Sequence, residues 1–214
     1  MNAVSATHGR RVLNQLAEVI HINAAYLSQL DGAVGDGDHG INMDKGFSKA
    51  RERTGENASL SEALRTLGNT LLGEIGGAMG PLYGTFFLEM AAVCANKDTI
   101  DTATFRAMLE AALAAIQDLG NAKVGDKTLL DTLVPAVEAY RGAHESGASF
   151  AECLAHMRSA AERGRESTRD LVAKIGRASR LGERSRGHLD AGATSCFLIL
   201  SAFSEAFNQL LQES

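Results

Sequence analysis

An all-α fold is what this sequence predicts, and three features predict it. Only two prolines interrupt 214 residues, apolar side chains recur three and four positions apart over long windows, and no stretch alternates with the period of two that a half-buried strand needs. About eight helices are expected, packed as one bundle in a single domain over residues 1–214, a length at which one core suffices.

The first two helices are read near residues 11–28 and 40–53. The third is the clearest: Ser59 and Glu62 can form a capping box, Leu64, Leu67, Leu71 and Ile75 share one face, and a glycine pair stops it. A fourth lies near 81–95. The fifth carries Phe105, Met108, Leu109, Ala112, Leu113 and Ile116 on one stripe and ends where Gly120 can turn left-handed. A sixth spans 129–146, and the seventh starts at a Ser149–Glu152 capping box, buries Leu154, Met157 and Ala161, and is expected to reach about Gly176. The last, Asp190 to Leu211, aligns Phe197, Leu200, Phe203, Phe207 and Leu211.

Apolar residues make up 45% and charged residues 22%, which is ordinary for a globular domain. A net charge of −5 opposes wholesale binding to a nucleic-acid backbone. Cys94, Cys153 and Cys196 lie far apart and form no CxxC pair, so they read as core residues. The longest nearly apolar run, Ala191 to Phe203, contains Thr194, Ser195 and Ser201 and is too short to span a bilayer. With no export signal visible, the cytoplasm is the expected compartment, without membrane association.

Glycines concentrate in the connections, where they bring backbone N–H groups close to a ligand beside helix starts that favour anions. In the first of these, Asp31-Gly-Ala-Val-Gly-Asp36-Gly-Asp38-His39-Gly40, three carboxylates fall within eight residues. On one continuous helix Asp31 and Asp36 would sit about 140° apart, so a loop broken at Gly35 and Gly37 is needed to gather them. Aspartate oxygens are hard donors suited to Mg²⁺, which typically takes one or two carboxylates with phosphates and water, so three could serve two ions. Asp-Gly loops more often only form turns and caps, but three carboxylates without basic neighbours weaken that alternative. An EF-hand fails because its twelfth position falls on Phe47. Gly35, Gly37 and Gly40 match GxGxxG only weakly, with no strand before them, and no Walker sequence or Gly-x-Ser-x-Gly elbow is present.

Two further connections carry candidate chemistry. In Gly76-Gly-Ala-Met-Gly80-Pro81, a proline suited to the first helical turn follows glycines that leave room for a flat or anionic group. In Lys174 to Gly192, arginines gather in a glycine-bounded stretch with His188 and Asp190, and they are better phosphate candidates than the solvated charges before it.

Gly35-Asp-Gly-Asp-His-Gly-Ile-Asn-Met43, Gly76 to Thr85, Gly125-Asp-Lys-Thr128, Gly176 to Arg184 and Gly187 to Ser195 strongly resemble the nucleotide-binding L subunit of dihydroxyacetone kinase, in order and spacing over nearly the whole chain. The resemblance implies a closed barrel of eight antiparallel helices with a nucleotide, ADP or ATP, at one end. It implies that Asp31, Asp36 and Asp38 bind two magnesium ions on the phosphates and that Arg177 assists catalysis. By position, His39, Gly40, Ile41, Asn42, Ala78, Met79, Arg177, Asp190, Ala191 and Gly192 resemble phosphate and ribose contacts, while Gly120 and Leu129 resemble the adenine end. Met79 and Ala191 depart from the serine and proline common in the family. A separate K subunit would hold the ketone and supply acid and base, and a phosphotransferase-system subunit would rephosphorylate the bound ADP. The alternatives left open are exchange of free ATP, a related ketose such as erythrulose, and a nucleotide-loaded interaction module for a transcription regulator.

Overall fold

The computed structural model describes residues 3–213. Among them are eight α-helices: α1 Gly9–Val34, α2 His39–Arg53, α3 Leu60–Glu74, α4 Met79–Val93, α5 Thr102–Asp118, α6 Leu130–Glu145, α7 Phe150–Ser167 and α8 Ala191–Glu213. Local chemistry sets several of these boundaries. Ser59 accepts from the N–H of Glu62 while the Glu62 carboxylate accepts from Ser59, and Ser149 and Glu152 repeat the device at the start of α7. Asp101 caps α5 through the N–H of Thr104, 2.7 Å away.

Each helix packs on the next, and α8 returns against α1. Phe47, Phe87, Phe105, Phe150, Phe203 and Phe207 come from five different helices and are fully buried at the centre. Phe105 and Phe207 meet edge to face with centroids 4.9 Å apart, and Phe47 and Phe87 do so at 5.7 Å. Burial of each such ring stabilises the fold by about 1.5–3 kcal/mol. Because these rings meet at the axis, the fold is a filled helical bundle, and the closed barrel implied by the resemblance does not form. Cys94, Cys153 and Cys196 are buried free thiols, as expected. No helix among the described residues is long and apolar enough to cross a membrane.

Four features depart from the sequence expectations. A two-stranded antiparallel ribbon pairs β1, Ala3–Ser5, with β2, Thr99–Asp101, although no strand was expected. Helix α1 runs through Gly32 to Val34, so Asp31 sits on its last turn. Helix α7 stops at Ser167 and not near Gly176, because the Thr168 hydroxyl donates to the carbonyl of Arg165 and accepts from the N–H of Asp190. Beyond it the chain makes a 3₁₀ turn at Thr168–Asp170, an extended stretch, and a second 3₁₀ segment over Arg177–Ser185 that is kinked at Gly182.

Candidate functional site

The end of α1 and the start of α2 build the acidic centre. Gly35 follows the helix because any side chain there would strike the Asp31 carboxylate: a Cβ would lie 2.4 Å from its Oδ1. Gly37 then takes a left-handed turn, with φ at 78°, which returns the chain toward α1. Gly40 completes the approach, since a Cβ there would fall 1.8 Å from the carbonyl oxygen of Ala24. One oxygen from each of Asp31, Asp36 and Asp38 consequently lies within 4.8 Å of the others, with Asp36 exposed and the other two half-buried.

Capping does not account for this cluster. Asp38 occupies the N-cap position of α2, yet its side chain makes no capping bond. Asp31 accepts only a long contact, 3.4 Å, from the N–H of His39. Among the described residues, the cation paired with the group is the guanidinium of Arg177, which reaches across from the Arg177–Ser185 segment to Asp36. Three carboxylates against one guanidinium leave a net negative centre of hard oxygens, and that donor set fits divalent magnesium.

Beside this centre runs a buried polar chain that sequence reasoning did not anticipate. The Nε2 of His39 lies 2.9 Å from the hydroxyl of Ser195, which lies 2.7 Å from the hydroxyl of Tyr83. Tyr83 also donates to the carbonyl of Gly192 at 3.1 Å. Burial pulls the His39 pKa down to about 4, with the charge of Asp31 opposing only in part, so the imidazole is neutral near pH 7. The chain thereby ties the first residue of α2 to α4 and α8.

The remaining expected contacts are distributed as follows. The N–H of Ile41 donates to the Ser28 hydroxyl at 3.3 Å and that of Asn42 to the Asp38 carbonyl at 2.9 Å, while the Ile41 side chain points outward. Ala78 is the N-cap residue of α4 without a side-chain cap, and the Met79 side chain packs partly into the core. Leu129 is buried against Gly192, whose Cβ position lies 3.6 Å from the Leu129 nitrogen. Gly120 stands exposed just beyond the end of α5, and Ala191 is buried in the first turn of α8. The structure thus brings Asp31, Asp36, Asp38, His39 and Arg177 into one centre and Leu129 beside Asp190–Gly192.

Asp190 caps α8 through the N–H of Ala193 at 2.7 Å. Burial dominates its titration and pushes the carboxyl from the ordinary 3.8 up to about 6, against the pull of that N–H and of the Lys127 ammonium. A folded-state value raised above the unfolded one gives stability that is complete below about pH 4 and lost as pH rises through about 6. Asp190→Asn keeps a capping acceptor and removes the titration. Between pH 4 and pH 7 the wild type should therefore lose on the order of 2 kcal/mol relative to this variant, read by urea unfolding without nucleotide. A gap independent of pH would show that Asp190 ionises freely in the fold.

Comparison with known proteins places this geometry among relatives. The sequence pattern of the DAK2 domain matches residues 33–205. Over 198 residues the chain is 38% identical to "PEP-dependent dihydroxyacetone kinase 2, ADP-binding subunit DhaL" of Listeria innocua, covering 91% of each chain. It is 37% identical over 196 residues to the ADP-binding subunit DhaL of the PEP-dependent dihydroxyacetone kinase of Escherichia coli K12, covering 91% of this chain and 93% of that one. The crystal structure of the dihydroxyacetone kinase of C. freundii in its native form has a similar fold, with a TM-score of 0.68 at 22% identity, over 92% of this chain and 34% of the larger one.

Proposed function

Because the chain belongs to the DAK2 domain family, we propose that it is the ADP-binding subunit of a dihydroxyacetone kinase, a single L-type domain that presents a phosphoryl group to a ketone held on a separate subunit. It is a kinase subunit, of the class that transfers phosphate to an alcohol group. The observation that carries this reading is the convergence of Asp31, Asp36 and Asp38, whose oxygens gather within 4.8 Å beside an arginine.

Asp31, Asp36 and Asp38 would hold magnesium, in a donor set large enough for two ions. Bound there, magnesium supplies neutralisation of the phosphate oxygens of ADP or ATP in an in-line transfer. The chain's own residues do the positioning. His39, kept neutral by burial and fixed at Nε2 by Ser195, offers an uncharged imidazole beside the phosphates. The N-termini of α2, from His39 to Asn42, and of α4, at Ala78–Met79, lack side-chain caps and would favour anionic groups. Asp190, Ala191 and Gly192 would border the ribose, with Leu129 and Gly120 toward the base. Arg177 is the cation for the transferred group, since its side chain is half exposed and already reaches Asp36 at the acidic centre.

A nucleophile from this chain is not called for. Its three thiols are buried, with those of Cys94, Cys153 and Cys196 all raised chiefly by burial. The acid and base for the ketone would come from the partner, in the cytoplasm, and the donor would be a phosphotransferase-system subunit that rephosphorylates ADP in place. The deciding experiment is a coupled assay with a dihydroxyacetone-binding K subunit, magnesium and either free ATP or the phosphotransferase donor. Turnover with the donor protein and not with ATP is the expected result. Turnover with ATP alone would replace the donor assignment, and failure with both would leave a nucleotide-loaded interaction module.

A further inference from the structure

The Gly125-Asp-Lys-Thr128 segment has a place in the fold that the proposed site does not use. Lys127 is only 2% exposed, and its ammonium donates to four carbonyl oxygens: Thr168 at 2.8 Å, Leu171 at 3.2 Å, Ser185 at 2.7 Å and His188 at 2.6 Å. All four acceptors lie on one strap, the 168–190 segment between α7 and α8, which has no long helix to hold its shape. An ammonium has three N–H bonds, so one of them is shared between two of the four carbonyls, and all four contacts exist only while the strap keeps this fold.

The loop that presents Lys127 is itself anchored. The Asp131 carboxylate on α6 accepts from the N–H of Gly125 at 2.6 Å and of Thr128 at 2.7 Å. Between these two bonds Lys127 is held at a φ of 63°, a left-handed conformation that is unfavourable for a residue with a side chain. Such a conformation persists only where surrounding contacts impose it. A buried ammonium is likewise costly without acceptors, and the strap carbonyls supply them.

This strap carries Arg177 to Asp36 near its middle and delivers Asp190 to the start of α8 at its end. We propose that Lys127 is the positioning residue of the nucleotide site: its ammonium buckles the strap to the α5–α6 connection and so keeps Arg177 and Asp190 in place. The inference rests on the nucleotide reading above for its ligand, but its structural half is independent of that reading. The hydrogen bonds of Lys127 go to the strap and not to the carboxylate cluster or Arg177, so it acts on those groups through the strap, while its charge also favours the ionised Asp190.

The test uses the full chain and Mg-ADP as the probe. In Lys127→Met the charge is removed at nearly constant length. Hydrogen exchange should quicken at least about tenfold in the 168–190 strap while α1 to α4 keep wild-type rates. Mg-ADP dissociation should accelerate by a similar factor. Ser185→Ala removes the hydroxyl that accepts from the N–H of Ala173 at 2.9 Å and leaves Lys127 intact, so it should move both readouts the same way by less. That variant carries the test should Lys127→Met not fold. Wild-type strap protection in the variants, exchange that quickens equally in every helix, or a loosened strap with unchanged Mg-ADP dissociation would each overturn the inference. A wild-type chain that does not retain Mg-ADP would overturn the nucleotide reading instead, and strap exchange would still judge the buckle.

Discussion

Asp36→Ala is expected to lower phosphoryl transfer below about a thousandth of the wild-type rate and to abolish retention of the Mg-nucleotide. The three carboxylates converge on one region, and Asp36 is the member that faces solvent and pairs with Arg177. Its removal takes away a third of the hard-donor charge and leaves the guanidinium beside the two that remain. Electrostatic positioning is most of what a protein contributes to phosphoryl transfer, so the loss appears in both binding and rate. The fold should be spared, because the side chain is exposed and supports no helix cap. The check is turnover with the K subunit and magnesium, alongside equilibrium dialysis of Mg-ADP. Wild-type turnover in this variant would refute the metal assignment.

Arg177→Ala should move two measurements in opposite directions. Transfer should fall by about 10²- to 10³-fold, the lower range for loss of a cation that stabilises a transferring phosphoryl group. Divalent-cation affinity without nucleotide should instead rise several-fold, because the guanidinium on Asp36 competes for the same carboxylate. Calorimetric titration with Mn²⁺ and a turnover assay on the same preparation measure both. If cation affinity falls together with turnover, Arg177 supports the carboxylates and does not act on the phosphate.

Features of fold and site that depend on near neighbours were legible in the sequence. The capping boxes at Ser59–Glu62 and Ser149–Glu152 and the apolar stripes of α5 and α8 are set by spacings of three and four residues, and they form, with Leu113, Phe197 and Leu211 only partly buried. The acidic centre was legible for the same reason, since Asp31, Asp36 and Asp38 are close along the chain and glycines mark where it bends. Contacts between distant segments left no such trace. The β1–β2 ribbon pairs Val4 with Ile100 through three residues on each side, too short to show a period. The end of α7 depends on Thr168 meeting Asp190, and the Arg177–Ser185 turns depend on a lysine more than forty positions earlier. Ser195 and Tyr83 lay within segments already quoted for their glycines, but nothing along the chain told that they meet His39.

The contact of Gly40 with the backbone of Ala24 means that the two acidic helix ends are joined through main chain, without an intervening side-chain layer that could yield. Mutual repulsion among the aspartates is thus resisted by the close backbone approach of α2 to α1. An arriving cation meets oxygens already assembled, so its binding energy is not spent on organising the chain.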